Sequence, residues 1–587
     1  MGSLAGLIAE ARRRRVFRSG GLYVVGAWIL LQVVALALQS LDLPDGLLRY
    51  FWGAAFIGFP IALIFGWYYD ITAAGIQRTP PGDSPAAKAL ALRIPDYLII
   101  GALAIVAAIF AAGVFDRARY AGEFLVYDPN GIAVLALEDL SGTEDQAYFS
   151  TGMHDALISS LSKISALSVV SRRSASSIDE TMSMQAVGKT LGVRNIVEGS
   201  VTRQGSRVRI FVQLVDAARD VQIWAGTFER EMTGVLGLQN DIANSIAEAI
   251  DVRLSTEEKL ELAKQPVVDS ASYDAYLRAM YRIHDDSNII RREGIAILKK
   301  AAETDPDNAQ LHAGLAYGYA LLGHSPFPEG MYPSSKLSAE RALALDDSIA
   351  EVYVAIGMQK MYYEWDFPAA ENALLRALEI NSSLTKAQYQ YAWLMELYRD
   401  SERSLPPGEL TVKLDPLDPF FLGWLADQYR NAGRYEDALD MVNRTLEISP
   451  NHAVALMVKS RIYVEMEEFE SALAASSRIS GHPMWGFIHG TTLAAAGDTA
   501  AARSILENIE KSPRFVVPLI ISHATLGDID EAIAWLEVAR DVKLPWYPWF
   551  VTWFPQLEQF RDDPRMYAHA RALGLEHVID NVIASNE

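Results

Sequence analysis

Asn431-Ala432-Gly433-Arg434-Tyr435-Glu436-Asp437-Ala438, Ala496-Gly497-Asp498-Thr499-Ala500 and Leu526-Gly527-Asp528-Ile529-Asp530-Glu531-Ala532 are three copies of one signal. In each, an amphipathic run ends at a glycine and a second, acid-rich run begins. Glycine just past a helix accepts the left-handed backbone that closes it, and acids in a first turn favour the next helix. Each copy therefore predicts a helix-turn-helix unit. Stacked units of this kind build a concave binding surface, not a catalytic pocket.

Working outward, residues from about 272 to 575 read as all helix, with pairs beginning near Tyr273, Ala309, Ala350, Thr385, Phe420, Ala453, Met484 and Val517. Asp305-Pro306-Asp307, Asp415-Pro416 and Ser449-Pro450-Asn451 supply turns after second helices. The array resembles the tetratricopeptide (TPR) family, whose repeat is ~34 residues. The expectation is a solenoid of about eight pairs over 270–576. In the fifth unit Leu425, Ala426, Tyr429, Ala438 and Pro450 sit where a TPR places its packing residues and helix stop. By the same alignment Trp424, Asp427, Arg430 and Asn431 face the groove and are the candidate contacts to a protein partner. The fourth unit is interrupted by Leu405-Pro406-Pro407-Gly408, which predicts a damaged second helix.

The segment Leu544-Pro545-Trp546-Tyr547-Pro548-Trp549-Phe550, followed by Trp553-Phe554-Pro555, gathers aromatics and prolines. Trp546, Trp549 and Trp553 form either an exposed patch for a hydrophobic peptide or a cap over the open end of the solenoid, finished by a helix over Asp563–Leu573.

The chain carries a formal charge of −21 and no cysteine. The first property argues against nucleic-acid binding, which needs clustered Lys and Arg. The second excludes disulfides, thiolate metal sites and a cysteine nucleophile.

Three apolar runs, about 21–39, 51–69 and 97–115, each approach the ~20 residues that cross a bilayer as helix. They predict a three-helix anchor over 20–116. Arg12, Arg13, Arg14, Arg15 and Arg18 precede the first run, and Arg78, Lys88 and Arg93 lie between the second and third. By the positive-inside rule residues 1–19 form a cytosolic basic segment, and everything after Phe115 lies in the periplasm of a bacterial inner membrane.

Between anchor and array, strand-length runs alternate with helices. Ala147 to Ile164 and Met184 to Leu191 have helical period, and Val208, Ile210, Val212 and Leu214 alternate as in a hairpin buried on one face. A compact α/β domain over 128–256 is expected. Ile132-Ala133-Val134-Leu135-Ala136-Leu137-Glu138-Asp139-Leu140-Ser141-Gly142, Val197-Glu198-Gly199-Ser200-Val201 and Gln213-Leu214-Val215-Asp216-Ala217 resemble the amino-terminal domain of TolB and its relatives. That resemblance implies a module set ahead of a TPR array in membrane-bound regulators or proteins of unknown role. Asp70-Ile71-Thr72 and Gly75-Ile76 are similar to the membrane segment preceding such domains. About twenty residues precede the first apolar run, so neither a one-piece transcription regulator nor a cyclase is expected.

No catalytic constellation emerges. Gly188-Lys189-Thr190 lacks the upstream glycine of a phosphate loop, which is Ser183 here. The histidines lack zinc spacing, and Asp305, Asp307 and Asn308 lack the glycine and distal glutamate of a calcium loop. The expectation is a non-enzymatic, membrane-embedded scaffold with no cofactor and no metal, binding protein partners through the TPR groove. Two alternatives are a periplasmic sensor coupled to a separate cytosolic effector, and an enzyme of unrecognised type using the His154-Asp155 pair.

Overall fold

The computed structural model describes residues 127–586 except 142–146, 180, 264–267, 286, 325–330 and 561. Before residue 127 it describes residues 23–28, single positions between 16 and 67 and one hairpin. The chain divides into two compact units, Met1–Leu125 and Val126–Glu587.

In the first unit β1 (Tyr69–Thr72) pairs antiparallel with β2 (Gly75–Arg78). The segment Asp70-Ile71-Thr72 and Gly75-Ile76 is therefore a two-stranded turn, and Tyr69, read as the end of the second span, begins a strand. Of the expected spans, 97–115 lies wholly outside the described residues and 21–39 and 51–69 largely so. Among the described residues no helix is long and apolar enough to cross a membrane. The three-helix anchor, and with it the inner-membrane and periplasmic placement, is corrected on that ground.

The second unit opens with a mixed sheet: β3 (Asp128–Val134), β4 (Glu138–Asp139), β5 (Ser168–Val169), β6 (Val193–Gln204), β7 (Arg207–Asp216) and β8 (Val221–Glu231). The order is β5-β3-β6-β7-β8, with β4 also on β6. Pairings among β3 to β6 are parallel, while β6-β7 and β7-β8 are antiparallel. The alternation in β7 is realised: Val208, Ile210, Val212 and Leu214 are all fully buried. They meet Leu157 and Leu161 of α1 (Ala147–Ser162) and Ile242 and Ile246 of α4 (Val235–Ala249). On the other face α2 (Arg172–Ser176) and α3 (Met184–Leu191) cover Ala133, Val193 and Ile196. Gly199 is required in β6, because a Cβ there would stand 2.0 Å from the Phe211 carbonyl oxygen on β7. Gly188-Lys189-Thr190 lies inside α3, where Gly188 lets Ala217 approach, so it is no phosphate loop.

After the short helix α5 (Thr256–Leu262) the described chain is helical to its end. Eight helix pairs follow: α6 (Ser270–Ile283) with α7 (Asn288–Thr304), α8 (Ala309–Gly323) with α9 (Met331–Leu345), α10 (Ala350–Gln359) with α11 (Phe367–Ile380), and α12 (Thr385–Leu397) with α13 (Ser401–Leu414). Then come α14 (Pro419–Asn431) with α15 (Tyr435–Ile448), α16 (Ala453–Glu465) with α17 (Phe469–Ser477), α18 (Phe487–Ala495) with α19 (Thr499–Glu507), and α20 (Val516–Thr525) with α21 (Ile529–Asp541). First helices of neighbouring pairs pack on one another, as in a TPR array.

Acids in the turns act as N-caps. Asp400, Asp418 and Asp498 accept from Arg403 N, Phe420 N and Ala501 N at 3.1, 2.8 and 3.0 Å. Asn308 caps α8 in the same way, which gives the calcium-like triad a structural role. Contrary to the sequence reading, α13 runs unbroken through Pro406 and Pro407. Packing holds it: Gly408 lies against the Gln428 side chain of α14, and Ser404 is fully buried.

The chain ends in α22 (Tyr547–Thr552), α23 (Pro555–Glu558), α24 (Pro564–Ala572) and α25 (Glu576–Asn586).

Candidate functional site

The first helices present a run of aromatic and charged side chains on one face, and the segment α22–α23 lies upon it. Trp393 of α12 is the centre. Its ring stacks on Trp549 at 5.4 Å between centroids and 15° between planes, and meets Trp553 and Trp424 edge-on at 5.5 and 4.9 Å. Trp549 also packs on Tyr362 at 5.5 Å, Trp546 meets His324 edge-on at 6.1 Å, and Tyr547 lies 5.0 Å from Trp365.

Polar groups complete the contact. Glu396, on α12 and 2% exposed, accepts from Trp553 Nε1 at 3.2 Å and Asn431 Nδ2 at 2.7 Å through one oxygen, and from Ser404 Oγ at 2.5 Å through the other. Burial pushes its carboxyl above the usual range. Arg430 donates to Asp427 at 2.8 Å and Glu465 at 2.5 Å. Arg461 stands over the Trp553 ring at 5.1 Å, and burial, with Arg430 close by, lowers its guanidinium to about 10. Arg399 donates to the Thr552 carbonyl at 3.3 Å and pairs with Glu558.

The structure thus brings both expected sets to one locus. Trp424, Asp427, Arg430 and Asn431 lie on the inner face, and Trp546, Trp549 and Trp553 lie on the segment that covers it. Asp427, Arg430, Trp549 and Trp553 are buried, and Trp424, Asn431 and Trp546 half-buried. They face one another, through Trp393 and Glu396, two residues that sequence reasoning missed. The signal for them was one repeat away: Trp393 and Trp424 are 31 residues apart on successive first helices.

Magnitude decides what this contact is. Full burial of Tyr547, Trp549 and Phe550, with Trp553 nearly so, is worth on the order of 10 kcal/mol at ~1.5–3 kcal/mol each. A micromolar peptide gains about 8 kcal/mol. The segment's own burial is of the same size, and its side chains join the core cluster of the array.

His154 and Asp155 are not brought together as an acid-base pair. His154, 1% exposed, has Nε2 at 2.6 Å from the Val134 carbonyl oxygen, and burial lowers its pKa. Asp155 turns away to Arg172 at 2.9 Å and His284 at 3.6 Å.

That turn opens onto a second recess. The α/β domain docks on the inter-repeat turns: Ser383 Oγ donates to the Leu167 carbonyl at 3.1 Å, Ser171 N to the Leu414 carbonyl at 2.7 Å and Ser174 Oγ to Asp415 at 2.5 Å. Ion pairs Lys413-Asp128 at 2.8 Å and Arg173-Asp418 at 3.3 Å flank these bonds. Between α1 and the first three pairs the docking leaves a crevice of about 1070 Å³, lined among others by Asp155, Arg172, Tyr276, Tyr317, Ser348 and Glu351.

Comparison with known proteins follows the same division. Residues 132–245, most of the α/β domain, match the family described as HilA/YgeH-like transcriptional regulator, second domain. This is where the motifs had suggested the TolB domain. A putative adenylate cyclase 3 of Rhizobium meliloti (strain 1021) is 32% identical over 186 residues, 32% of each chain. The chain thus spans about a third of that relative's length. Among solved structures, pilF of Pseudomonas aeruginosa aligns over 38% of this chain and 96% of its own, at 17% identity and a TM-score of 0.32. Yeast Tom70 aligns over 54% and 66%, at 16% identity and a TM-score of 0.33. YrrB, described as a TPR protein with an unusual peptide-binding site, aligns over 35% and 96%, at 19% identity and 0.27. The array itself is a solenoid of stacked helix pairs of the TPR type.

Proposed function

We propose that this chain is a protein-binding scaffold whose partner enters the crevice between the α/β domain and the first three helix pairs. One observation carries the reading. The face that a TPR normally offers to a partner is covered by the chain's own α22–α23 segment, while the crevice is recessed and open. Trp424 accordingly backs that segment through Trp393, Asn431 through Glu396, and Asp427 with Arg430 through Arg461. The α/β domain, read as TolB-like from its motifs, forms one wall. The matched names, a transcriptional regulator and a cyclase, are not carried over, since each similarity covers a minor part of the chain.

A photo-crosslinking residue at Ser348, in the crevice, and a second at Trp546, beside the covered face, separate the alternatives in the native host. A discrete protein adduct from position 348 and none from 546 is the expected result. Adducts from 546 alone would overturn it.

A further inference from the structure

The two edges of the sheet in the α/β domain meet different fates. At one, β5 and the residues beside it face the array: Val169 N donates to Ser383 Oγ at 3.4 Å, and Ser383 Oγ to the Leu167 carbonyl at 3.1 Å. At the other, β8 pairs with β7 on one side, and among the described residues no strand pairs with it on the other. An edge strand presents a row of backbone donors and acceptors, which proteins shield by shortness, by Lys or Pro, or by charge. β8 is eleven residues long and holds neither Lys nor Pro. Val221 and Ile223 on it are 53% and 49% exposed, and its charges, Glu229, Arg230 and Glu231, gather at its carboxyl end. The bulge opposite Leu214 and Val215 falls at its amino end and leaves Trp224 to Glu231 in regular register.

The regular part has an internal symmetry. In Trp224-Ala225-Gly226-Thr227-Phe228 an aromatic, a small residue, a glycine, a small residue and an aromatic read alike in both directions. Trp224 and Phe228 pack on the edge of the domain core, and both stay half-buried. Their ring centroids stand 6.1 Å apart and the rings close over Gly226, where a Cβ would come within 2.6 Å of Trp224 and 2.8 Å of Phe228. The core therefore ends at β8 in two aromatic rings that solvent still reaches.

We propose that β8 is a dimerisation edge, which pairs antiparallel with β8 of a second copy of this chain about a two-fold axis at Gly226. This register alone sets Trp224 opposite Phe228 of the second copy, and does so twice, as cross-strand aromatic pairs that finish both cores. It sets Ala225 opposite Thr227. It also carries the charged end, Glu229 to Glu231, past the uncharged Val221-Gln222-Ile223 of the second copy, so that no like charges meet. Registers centred on Glu229 or Arg230 would oppose like charges. The interface uses one patch on both copies and closes on itself. It lies at the end of the sheet away from β5 and the array, so the dimer and the scaffold reading stand or fall separately.

Sedimentation of the full chain over a range of concentrations tests the edge, with charge placed at Ala225 and Thr227, its two exposed small residues. The unaltered chain is expected to pass from monomer to dimer below about 100 μM, the weak range suited to a single strand pair. Ala225→Glu alone and Thr227→Lys alone are each expected to weaken the dimer about tenfold, because like charges then face each other diagonally across the axis. Combined, the two substitutions set Glu opposite Lys twice and restore it. The chain has no cysteine, so Glu231→Cys takes a single spin label, expected about 34 Å from its counterpart because residue 231 then faces 221. A chain that stays monomeric at about 100 μM, a dimer indifferent to Ala225→Glu, a combined variant no tighter than the single ones, or a different label spacing would overturn the edge.

Discussion

At the scale of single residues, Glu396 shows how a groove becomes a core. In an open TPR it would be a hydrated carboxylate, whereas here burial raises its pKa above the ordinary 4.5. A raised acid contributes stability that is fully present below 4.5 and is lost as pH rises through its folded value. Glu396→Gln is therefore expected to flatten the stability profile across that window and to cost little at pH 7, because the amide oxygen still accepts from Asn431 and Trp553 and the amide nitrogen can donate to Ser404. Glu396→Ala leaves the Asn431, Trp553 and Ser404 donors without their acceptor and should cost about 2–4 kcal/mol in chemical denaturation. A Gln variant with an unchanged pH profile would remove Glu396 as the titrating group. Trp549→Ala, which deletes the ring stacked on Trp393, should cost about 3–5 kcal/mol.

At the scale of elements, the first helices of successive pairs close with one left-handed residue. These stand at 365, 399, 433 and 467, a step of 34 residues, and then at 497 and 527, a step of 30. Gly433, Gly497 and Gly527 announce themselves in the sequence. Trp365, Arg399 and Glu467 do not, because each takes a positive φ of 57–59° without being glycine. Their turns are held by bonds such as Glu468 N to the Tyr463 carbonyl at 2.7 Å. The exposed Glu467 side chain makes no hydrogen bond or ion pair among the described residues, so Glu467→Gly should raise the unfolding free energy by about 1 kcal/mol. Arg399→Gly should not, because Arg399 also holds Thr552 and Glu558. Equal effects of the two substitutions would deny the difference. The helix and strand periods, and the position of Gly188 within α3, were legible because they are local. The continuity of α13 through two prolines was not, since it depends on packing against α14.

At the scale of the whole molecule, residues far apart in sequence decide the site. The sequence offered a groove set around residue 427 and an aromatic set around 549, but no local pattern says that they meet. The contact depends on the array bringing α12 beside α22. The crevice was illegible for the same reason: Tyr276, Tyr317 and Glu351 lie on three different pairs, and the facing wall, with Asp155 and Arg172, comes from the α/β domain. The apolar runs near the amino terminus were legible as composition, yet composition could not distinguish a span end at Tyr69 from the strand that begins there.

The central claim is that the chain fills its own TPR groove, and hydrogen exchange of the α22 amides tests it most directly. The account predicts that the amides of Tyr547 and of Trp549 to Thr552 exchange as slowly as those of α12, through global unfolding. Exchange of α22 within seconds while α12 stays protected would show a segment that leaves the groove, and would return Trp424, Asp427, Arg430 and Asn431 to the role of partner contacts.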